Sequence, residues 1–179
     1  MPGKRHSFHI SAIVLKRSNF GETDRVVTVL SQELGKISVV AKGVRKLNSS
    51  RTASLEPGCL VDMFCLQSHG LPLVSQTKLI IDTQAIRTDL IQIKRFFQVL
   101  EIFDQLFVEE SLDENTFGLV LNIHQSLLNH DSHQHVQSQL QELLQLLGFG
   151  SQSHLSISDQ VSQLTNHKLH SFAFLTTSG

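Results

Sequence analysis

Residues 25–46 read RVVTVLSQELGKISVVAKGVRK and hold two β-rich runs followed by a basic segment. The runs are Arg25–Leu30 and Lys36–Ala41, and the turn Leu34-Gly35 separates them. Runs rich in Val and Ile that are bounded by turn residues predict β-strands. The segment therefore predicts two strands of a sheet, and three cations fall within the five residues after the second strand.

Further β-rich runs surround this pair. They are Phe8–Lys16, which ends before a turn at Asn19-Phe20-Gly21, and Cys59–Leu66 and Leu73–Ile81, which flank the turn region Ser68–Pro72. Five strands at about twelve-residue spacing, with Gly or Pro between them, predict a small antiparallel barrel or sandwich. An OB-fold barrel matches this size. The polar and basic segment Val44–Ser54 is predicted to be a loop rather than a core element.

Beyond Thr88 the apolar residues recur at helical spacing. Three such stripes predict three helices. The first consists of Ile93, Phe96, Phe97, Leu100, Phe103 and Phe107, and the second of Phe117, Val120, Leu121, His124, Leu127 and Leu128. The third consists of Val136, Leu140, Leu143, Leu144 and Leu147. Gly148 is a plausible C′ residue for the third helix, and a short last helix is predicted around Ile157, Val161 and Leu164. Strands followed by helices predict an α+β chain, with an OB-fold barrel domain at 1–84 and a helical domain at 85–179.

Charge is distributed unevenly along the chain. Residues up to Arg51 include ten Lys/Arg against three Asp/Glu, a net charge of +7, whereas the remainder has five against thirteen, a net charge of −8. A basic part on an acidic body indicates a polyanion partner, most often a nucleic acid. The alternative is an ordinary solvated charged surface, but such surfaces usually intersperse acids among the bases.

The cations of the basic part are the candidate nucleic-acid-binding residues. They are Lys16, Arg17, Arg25, Lys36, Lys42, Arg45, Lys46 and Arg51. The chain has no Trp or Tyr, and its barrel half offers only Phe8, Phe20 and Phe64 for stacking on bases. We therefore expect phosphate contacts to dominate, which predicts weak sequence specificity and strong salt dependence.

Several blocks of the barrel half resemble the RecO family of recombination mediators, which are bacterial DNA-repair proteins. The blocks are AIVLK at 12–16, GETDR at 21–25, GKISVVAKGVRK at 35–46, Ser49, and LEPG at 55–58. The resemblance covers residues 8–80 well and the helical half loosely. It implies an OB-fold head and a helical body that bind single- and double-stranded DNA, anneal strands and are not enzymes. It also implies partnership with RecR and with the tail of single-stranded DNA-binding protein, to help load RecA.

The chain departs from the family pattern in its body. Family members commonly carry a cysteine module, often with zinc, after the second or third body helix, whereas here Cys is absent after Cys65. A structural zinc site normally needs four Cys/His ligands, so we expect a shortened member with no metal site and no cofactor. The body passes almost directly from Leu146–Gly150 to a family-like ending at Lys168–Leu175.

Other polar clusters favour structural roles. The run His130-Asp131-Ser132-His133-Gln134-His135 suits an exposed loop between two helices, with adventitious metal capture as the alternative. Glu22 and Asp24 are expected to shape a turn rather than act as an acid–base pair. No Walker-type glycine signature is present, and we expect no catalytic residues.

The phenylalanine stripes are expected to form core, with an apolar pocket for a partner peptide as the alternative. Arg87, Lys94 and Arg95 are nearly all the cations after Ile86, and we expect them to form a basic rim for the acidic-apolar tail of single-stranded DNA-binding protein. Cys59 and Cys65 lie about 20 Å apart along one predicted strand, too far for a disulfide, and two such thiols favour a reducing, cytoplasmic setting. With DNA as the expected partner, we expect a nucleoid-associated protein. Two alternatives stay open: a protein-only adaptor and an RNA-binding OB-fold protein.

Overall fold

The computed structural model describes residues 6–46, 49, 51–84, 86, 89–149, 155–167 and 169. The chain forms two compact units. The first is Met1–Asp82 with Val108–Ser111, and the second is Thr83–Phe107 with Leu112–Gly179. The domain limits at 84 and 85 stay a prediction, and the short segment Val108–Ser111 is one that no sequence pattern assigned to the first unit.

The first unit is a closed five-stranded barrel. Its strands are β1 (Ser7–Phe20), β2 (Asp24–Ser31), β3 (Gly35–Ala41), β4 (Leu60–Leu66) and β5 (Leu73–Ile81). They follow the order β1-β2-β3-β5-β4, and β1 closes the ring by pairing antiparallel with both β2 and β4. The β3–β5 contact is parallel. This confirms the predicted OB-fold barrel, followed by helices.

Strand β1 is longer than predicted because it serves two neighbours. Its first half pairs with β4, and its second half pairs with β2 as far as Phe20 opposite Asp24. The register shifts between Val14 and Lys16, and such a bulge bends a strand. The turn predicted at Asn19-Phe20-Gly21 is therefore wrong by two residues: the turn begins at Gly21, whose φ of +60° favours glycine.

The barrel interior is filled by alternate residues of β1 to β4 and by Val74 of β5. Cys59 and Cys65 are both buried there as free thiols, and burial raises the pKa of Cys65 to about 11. The interior also contains Val44 and Leu55, which are fully buried. The prediction that residues 44–54 lack core elements is therefore wrong for Val44. An apolar side chain that is flanked by polar residues in the sequence can still pack into the barrel core.

The segment Val108–Ser111 lies beside the start of β3. The Lys36 N–H donates to the Val108 carbonyl oxygen at 2.8 Å. Gly35 has φ +62°, and a Cβ built on it would lie 2.8 Å from the Glu110 nitrogen and closer still to the carbonyl oxygens of Val108 and Glu110. Only glycine leaves room for this approach.

The second unit has four helices in the part of the chain that the structure describes. They are α1 (Leu90–Leu106), α2 (Glu114–Leu128), α3 (His133–Leu146) and α4 (Ile157–Thr165). Side chains of Asp89, Asp113, Ser132 and Ser156 accept backbone N–H groups at the four N-termini. Gly148 (φ +85°) follows the end of α3 as predicted. The Gly148 N–H donates to the Gln145 carbonyl oxygen, and the Phe149 N–H donates to the Leu144 carbonyl oxygen.

Two predicted core residues of the helices are exposed. Phe97 is 46% exposed and Leu164 is 41% exposed. Phe97 follows Phe96 directly, and adjacent helical residues point about 100° apart, so only Phe96 reaches the interior. No helix among the described residues is both long and apolar enough to span a membrane.

Candidate nucleic-acid interface

The loop Lys42–Lys46 leaves β3 and lies against the β1–β2 turn. The Gly43 N–H donates to Asp24 Oδ1 at 2.8 Å, and the Arg45 N–H donates to the Thr23 carbonyl at 2.9 Å. The Arg45 Nη1 atom also donates to the Gly21 carbonyl oxygen at 3.1 Å. These bonds tie a basic loop to a tight turn, so that its cations keep a defined position.

Asp24 is the anchor of this arrangement. Hydrogen bonds from the Gly43 N–H and the Thr23 hydroxyl, assisted by the nearby charges of Lys42 and Lys46, hold the pKa of Asp24 below its usual value of 3.8. The carboxylate is therefore charged at neutral pH and orders the loop backbone. This agrees with the expectation of a structural turn.

The side chains of Lys42, Arg45 and Lys46 are exposed around this anchor. Their charges exceed that of Asp24, so the loop keeps a net positive charge. An exposed set of cations on an ordered backbone is suited to phosphate contacts, which need no particular base sequence.

Arg17 and Arg25 share one carboxylate at the same end of the barrel. The Arg17 Nη2 atom lies 2.9 Å from Glu56 Oε2, and the Arg25 Nη1 atom lies 3.5 Å from Glu56 Oε1. Burial, with the repulsion of Arg17 second, lowers the pKa of Arg25 below its usual value. Two guanidinium groups against one carboxylate leave a net positive charge at this end.

Arg51 links the basic loop to β5. Its Nη1 atom donates to the Val74 carbonyl oxygen and its Nη2 atom to the Lys42 carbonyl oxygen, both at 2.8 Å. Because these bonds occupy two nitrogens of the guanidinium group, Arg51 holds the loop in place while adding its charge to the surface.

Lys16 and Lys36 lie apart from this end. Lys16 is opposite Thr28 in the middle of β2, and Lys36 is opposite Leu30 near the start of β3. Lys36 is five residues before Ala41, about 17 Å along the strand. The structure thus gathers six of the eight predicted cations at one end of the barrel and leaves Lys36 at the other.

Comparison with known proteins matches this barrel to one family. Residues 6–81 match the family model described as "Recombination protein O N terminal". The barrel is therefore similar in sequence to the N-terminal part of RecO proteins. Among similar curated proteins, the DNA repair protein RecO of Roseiflexus sp. (strain RS-1) is 32% identical over 114 residues, 64% of this chain and 40% of the relative.

Two further RecO relatives give the same result. The DNA repair protein RecO of Bacillus subtilis (strain 168) is 32% identical over 109 residues, 61% of this chain and 43% of the relative. That of Bifidobacterium longum (strain DJO10A) is 44% identical over 66 residues, 37% of this chain and 28% of the relative. The chain spans about two fifths or less of the length of these curated relatives.

Two residues of the barrel were not singled out as site residues by sequence reasoning. Glu56 stood only within the block LEPG, and its pairing with Arg17 and Arg25 depends on contacts across about thirty or more positions. Phe20 was named as an aromatic, but its 57% exposure depends on where the β1–β2 turn falls.

The helical unit places the predicted partner-binding cations in different environments. Arg87 lies outside the described residues. Lys94 is exposed on the same face of α1 as Leu90 and Phe97, which are 65% and 46% exposed. Arg95 is only 5% exposed and donates from Nη1 to the Asp131 carbonyl oxygen at 3.3 Å.

The burial of Arg95 corrects its predicted place on an exposed rim. The residue directly after an exposed helical position points about 100° away, toward the interior. Burial also lowers the pKa of Arg95, and its Nε and Nη2 atoms have no hydrogen-bond partner among the described residues. Partner binding by these cations stays a prediction.

The histidine-rich run lies partly in a helix rather than wholly in a loop. His130 and Asp131 precede α3, whereas His133 and His135 belong to its first turn. The His135 Nε2 atom lies 3.9 Å from Asp131 Oδ2. Within the described ranges, no group of three or more His, Cys, Asp or Glu side chains is placed to hold a metal ion.

Proposed function

We propose that this chain is a DNA-binding mediator of repair and recombination, without a catalytic step of its own. The observation that carries the proposal is the basic loop Lys42–Lys46, fixed on the β1–β2 turn of a RecO-type barrel. Proteins named DNA repair protein RecO share this part of the sequence. DNA as the ligand also implies a cytoplasmic, nucleoid-associated location.

The proposed mechanism is electrostatic and stoichiometric. The exposed cations neutralise phosphates of single- or double-stranded DNA, which releases counterions and gives affinity without base readout. Neutralised strands repel each other less, so complementary strands approach and anneal. Arg51 and Asp24 contribute by ordering the loop, which lowers the entropy cost of gripping the backbone.

We further propose that the chain acts with protein partners. As in the family it resembles, these are RecR and the acidic-apolar tail of single-stranded DNA-binding protein, and the outcome is loading of RecA. The exposed face of α1 supports the tail contact, because Leu90 and Phe97 offer apolar surface beside the charge of Lys94. The variant Lys94→Glu should bind a fluorescent tail peptide more weakly than the native chain does, whereas the control Lys78→Glu on β5 should bind it equally well. Equal peptide affinities of the two variants would refute this contact.

The test of DNA binding is a salt series with labelled single-stranded DNA. The variant Lys42→Gln plus Lys46→Gln removes two exposed charges but leaves the hydrogen bonds of Arg45 and Arg51 intact. For single strands each neutralised phosphate contributes about 0.7 to the slope of log K against log salt, so the slope should flatten by about 1.4. The matched control is Lys78→Gln plus Lys94→Gln, which changes the net charge equally.

The outcomes separate the proposed function from its two rivals. Tight low-salt binding that weakens in the loop variant and not in the control supports a DNA mediator. Absence of DNA binding together with capture of RecR supports the protein-only adaptor. Stronger binding of RNA than of DNA of matched length and sequence supports an RNA-binding protein.

A further inference from the structure

Phe20 is a large apolar side chain in an exposed position. It is the last residue of β1, at the entrance to the β1–β2 turn, and it is 57% exposed. Single exposed apolar residues are common on protein surfaces and need no explanation by themselves. The surroundings of Phe20 are what distinguish it from such a residue.

Phe20 adjoins the turn to which the basic loop is bound. Phe20 is opposite Asp24, the residue that anchors the loop, and it precedes Gly21, whose carbonyl oxygen accepts from Arg45. The Arg45 guanidinium group is therefore bound to the residue that directly follows Phe20 in the chain.

The outer face of β1 continues this pairing of ring and charge. Because side chains alternate along a strand, Phe20, Ser18 and Lys16 point to the same face. Both Ser18 and Lys16 are exposed, and Lys16 lies about 13 Å from Phe20 along the strand. An exposed path with cations at both ends and an aromatic ring between them runs along this edge of the barrel.

We propose that Phe20 is a base-stacking residue for single-stranded nucleic acid, while Arg45 and the neighbouring lysines hold the adjoining phosphates. The proposal rests on the proposed DNA-binding function and deepens it. Stacking accepts any base, since every base has an aromatic face, so binding stays weakly sequence-specific. It requires an unpaired base, so this site gives the chain a preference for single strands that phosphate contacts alone do not give.

The test compares two exposed phenylalanines of the same barrel. Phe20→Ala removes the proposed platform, and Phe64→Ala removes a side chain that is 37% exposed on β4, opposite His9 and Gln76 rather than cations. Each variant is measured by anisotropy against three probes of equal length: oligo(dT), an abasic strand with the same number of phosphates, and a duplex.

The expected result is specific to one variant and one probe. Phe20→Ala should bind oligo(dT) about fivefold more weakly or worse, the equivalent of about 1 kcal/mol for one stacked base. Its affinity for the abasic strand and for the duplex should not change, and Phe64→Ala should match the native chain on all three probes.

A second measurement reads stacking directly. The chain contains no Trp and no Tyr, so Phe20→Trp introduces a single indole fluorophore. Oligo(dT) should quench its emission and the abasic strand should not, whereas Phe64→Trp should respond to neither.

Failure of the two proposals can be told apart. If the native chain binds none of the three probes at low salt, the DNA-binding function fails and the stacking site fails with it. If the native chain binds oligo(dT) but Phe20→Ala binds equally well, or if Phe20→Trp is not quenched, the stacking role alone is overturned.

Discussion

Replacing Gly35 with alanine should destabilise the barrel clearly more than the same replacement at Gly21. Gly35 begins β3 with φ +62°, and the backbone of residues 108–110 occupies the place where a Cβ would project. The neighbouring Lys36 N–H bonds the Val108 carbonyl oxygen at 2.8 Å. The added methyl group must therefore push this segment away and break or stretch that hydrogen bond.

The expected magnitude has two parts. An L-residue held in the left-handed region costs about 1–2 kcal/mol. Loss of the backbone hydrogen bond adds about 0.5–1.5 kcal/mol, and the displaced segment also loses packing contacts. The total decrease in the free energy of unfolding is about 2–4 kcal/mol.

Gly21 provides a matched control. Its φ of +60° is nearly the same as that of Gly35, but a Cβ built there meets nothing within 4 Å. Gly21→Ala should therefore show only the conformational cost of about 1–2 kcal/mol. The difference between the two variants isolates the contact with residues 108–110.

Urea unfolding followed by circular dichroism measures the change, with the m-value checked for constancy. Since two compact units need not unfold together, amide hydrogen exchange of barrel peptides should be read separately. Equal destabilisation by the two alanine variants would refute the reasoning, because it would mean that the segment at 108–110 yields without cost.

Two further predictions concern charged groups. Glu56→Gln should lower the free energy of unfolding by about 1–3 kcal/mol, because it leaves two partly buried guanidinium groups without a counter-charge. In urea unfolding, the control Glu22→Gln, which changes the net charge equally, should lower the free energy of unfolding less. A larger decrease for Glu22→Gln than for Glu56→Gln would contradict the pairing of Glu56 with the two arginines. Burial, with the charge of Arg95 second, lowers the pKa of His133 below 6.5. The unfolded chain then takes up the proton more readily, so the native chain should lose stability as pH falls below about 6.5. Urea unfolding at pH 7.5 and at pH 5.5 measures this loss of stability, which His133→Gln should reduce and His135→Gln should not. A loss of stability that His133→Gln leaves unchanged would contradict the assignment of the pH dependence to His133.

Local patterns were sufficient to predict most elements of this fold. The strand runs β2 to β5 and the helices α1 to α4 show in the apolar periodicity, because that periodicity records which face of each element is buried. Gly148 marked the end of α3 because a left-handed C′ residue is a local requirement. The basic part of the chain was also visible, since charge counting needs no structure.

Side-chain environments could not be predicted in the same way. Phe97 and Arg95 differ from their predicted places because a stripe of apolar residues does not fix the rotation of a helix to within one residue. Val44 was assigned to a loop because its neighbours in sequence are polar, whereas its neighbours in space form the barrel core.

By itself, the sequence determined the strand and helix periods, the charge separation and the similarity to RecO proteins, because each of these depends on residues close to one another along the chain. Only the tertiary structure decided that Glu56 faces Arg17 and Arg25, that Arg51 bonds the carbonyls of Val74 and Lys42, and that Arg45 bonds the Gly21 carbonyl next to the exposed Phe20. Those contacts join residues 9 to 39 positions apart. Their partners are chosen by strand register and barrel closure, which no local pattern encodes.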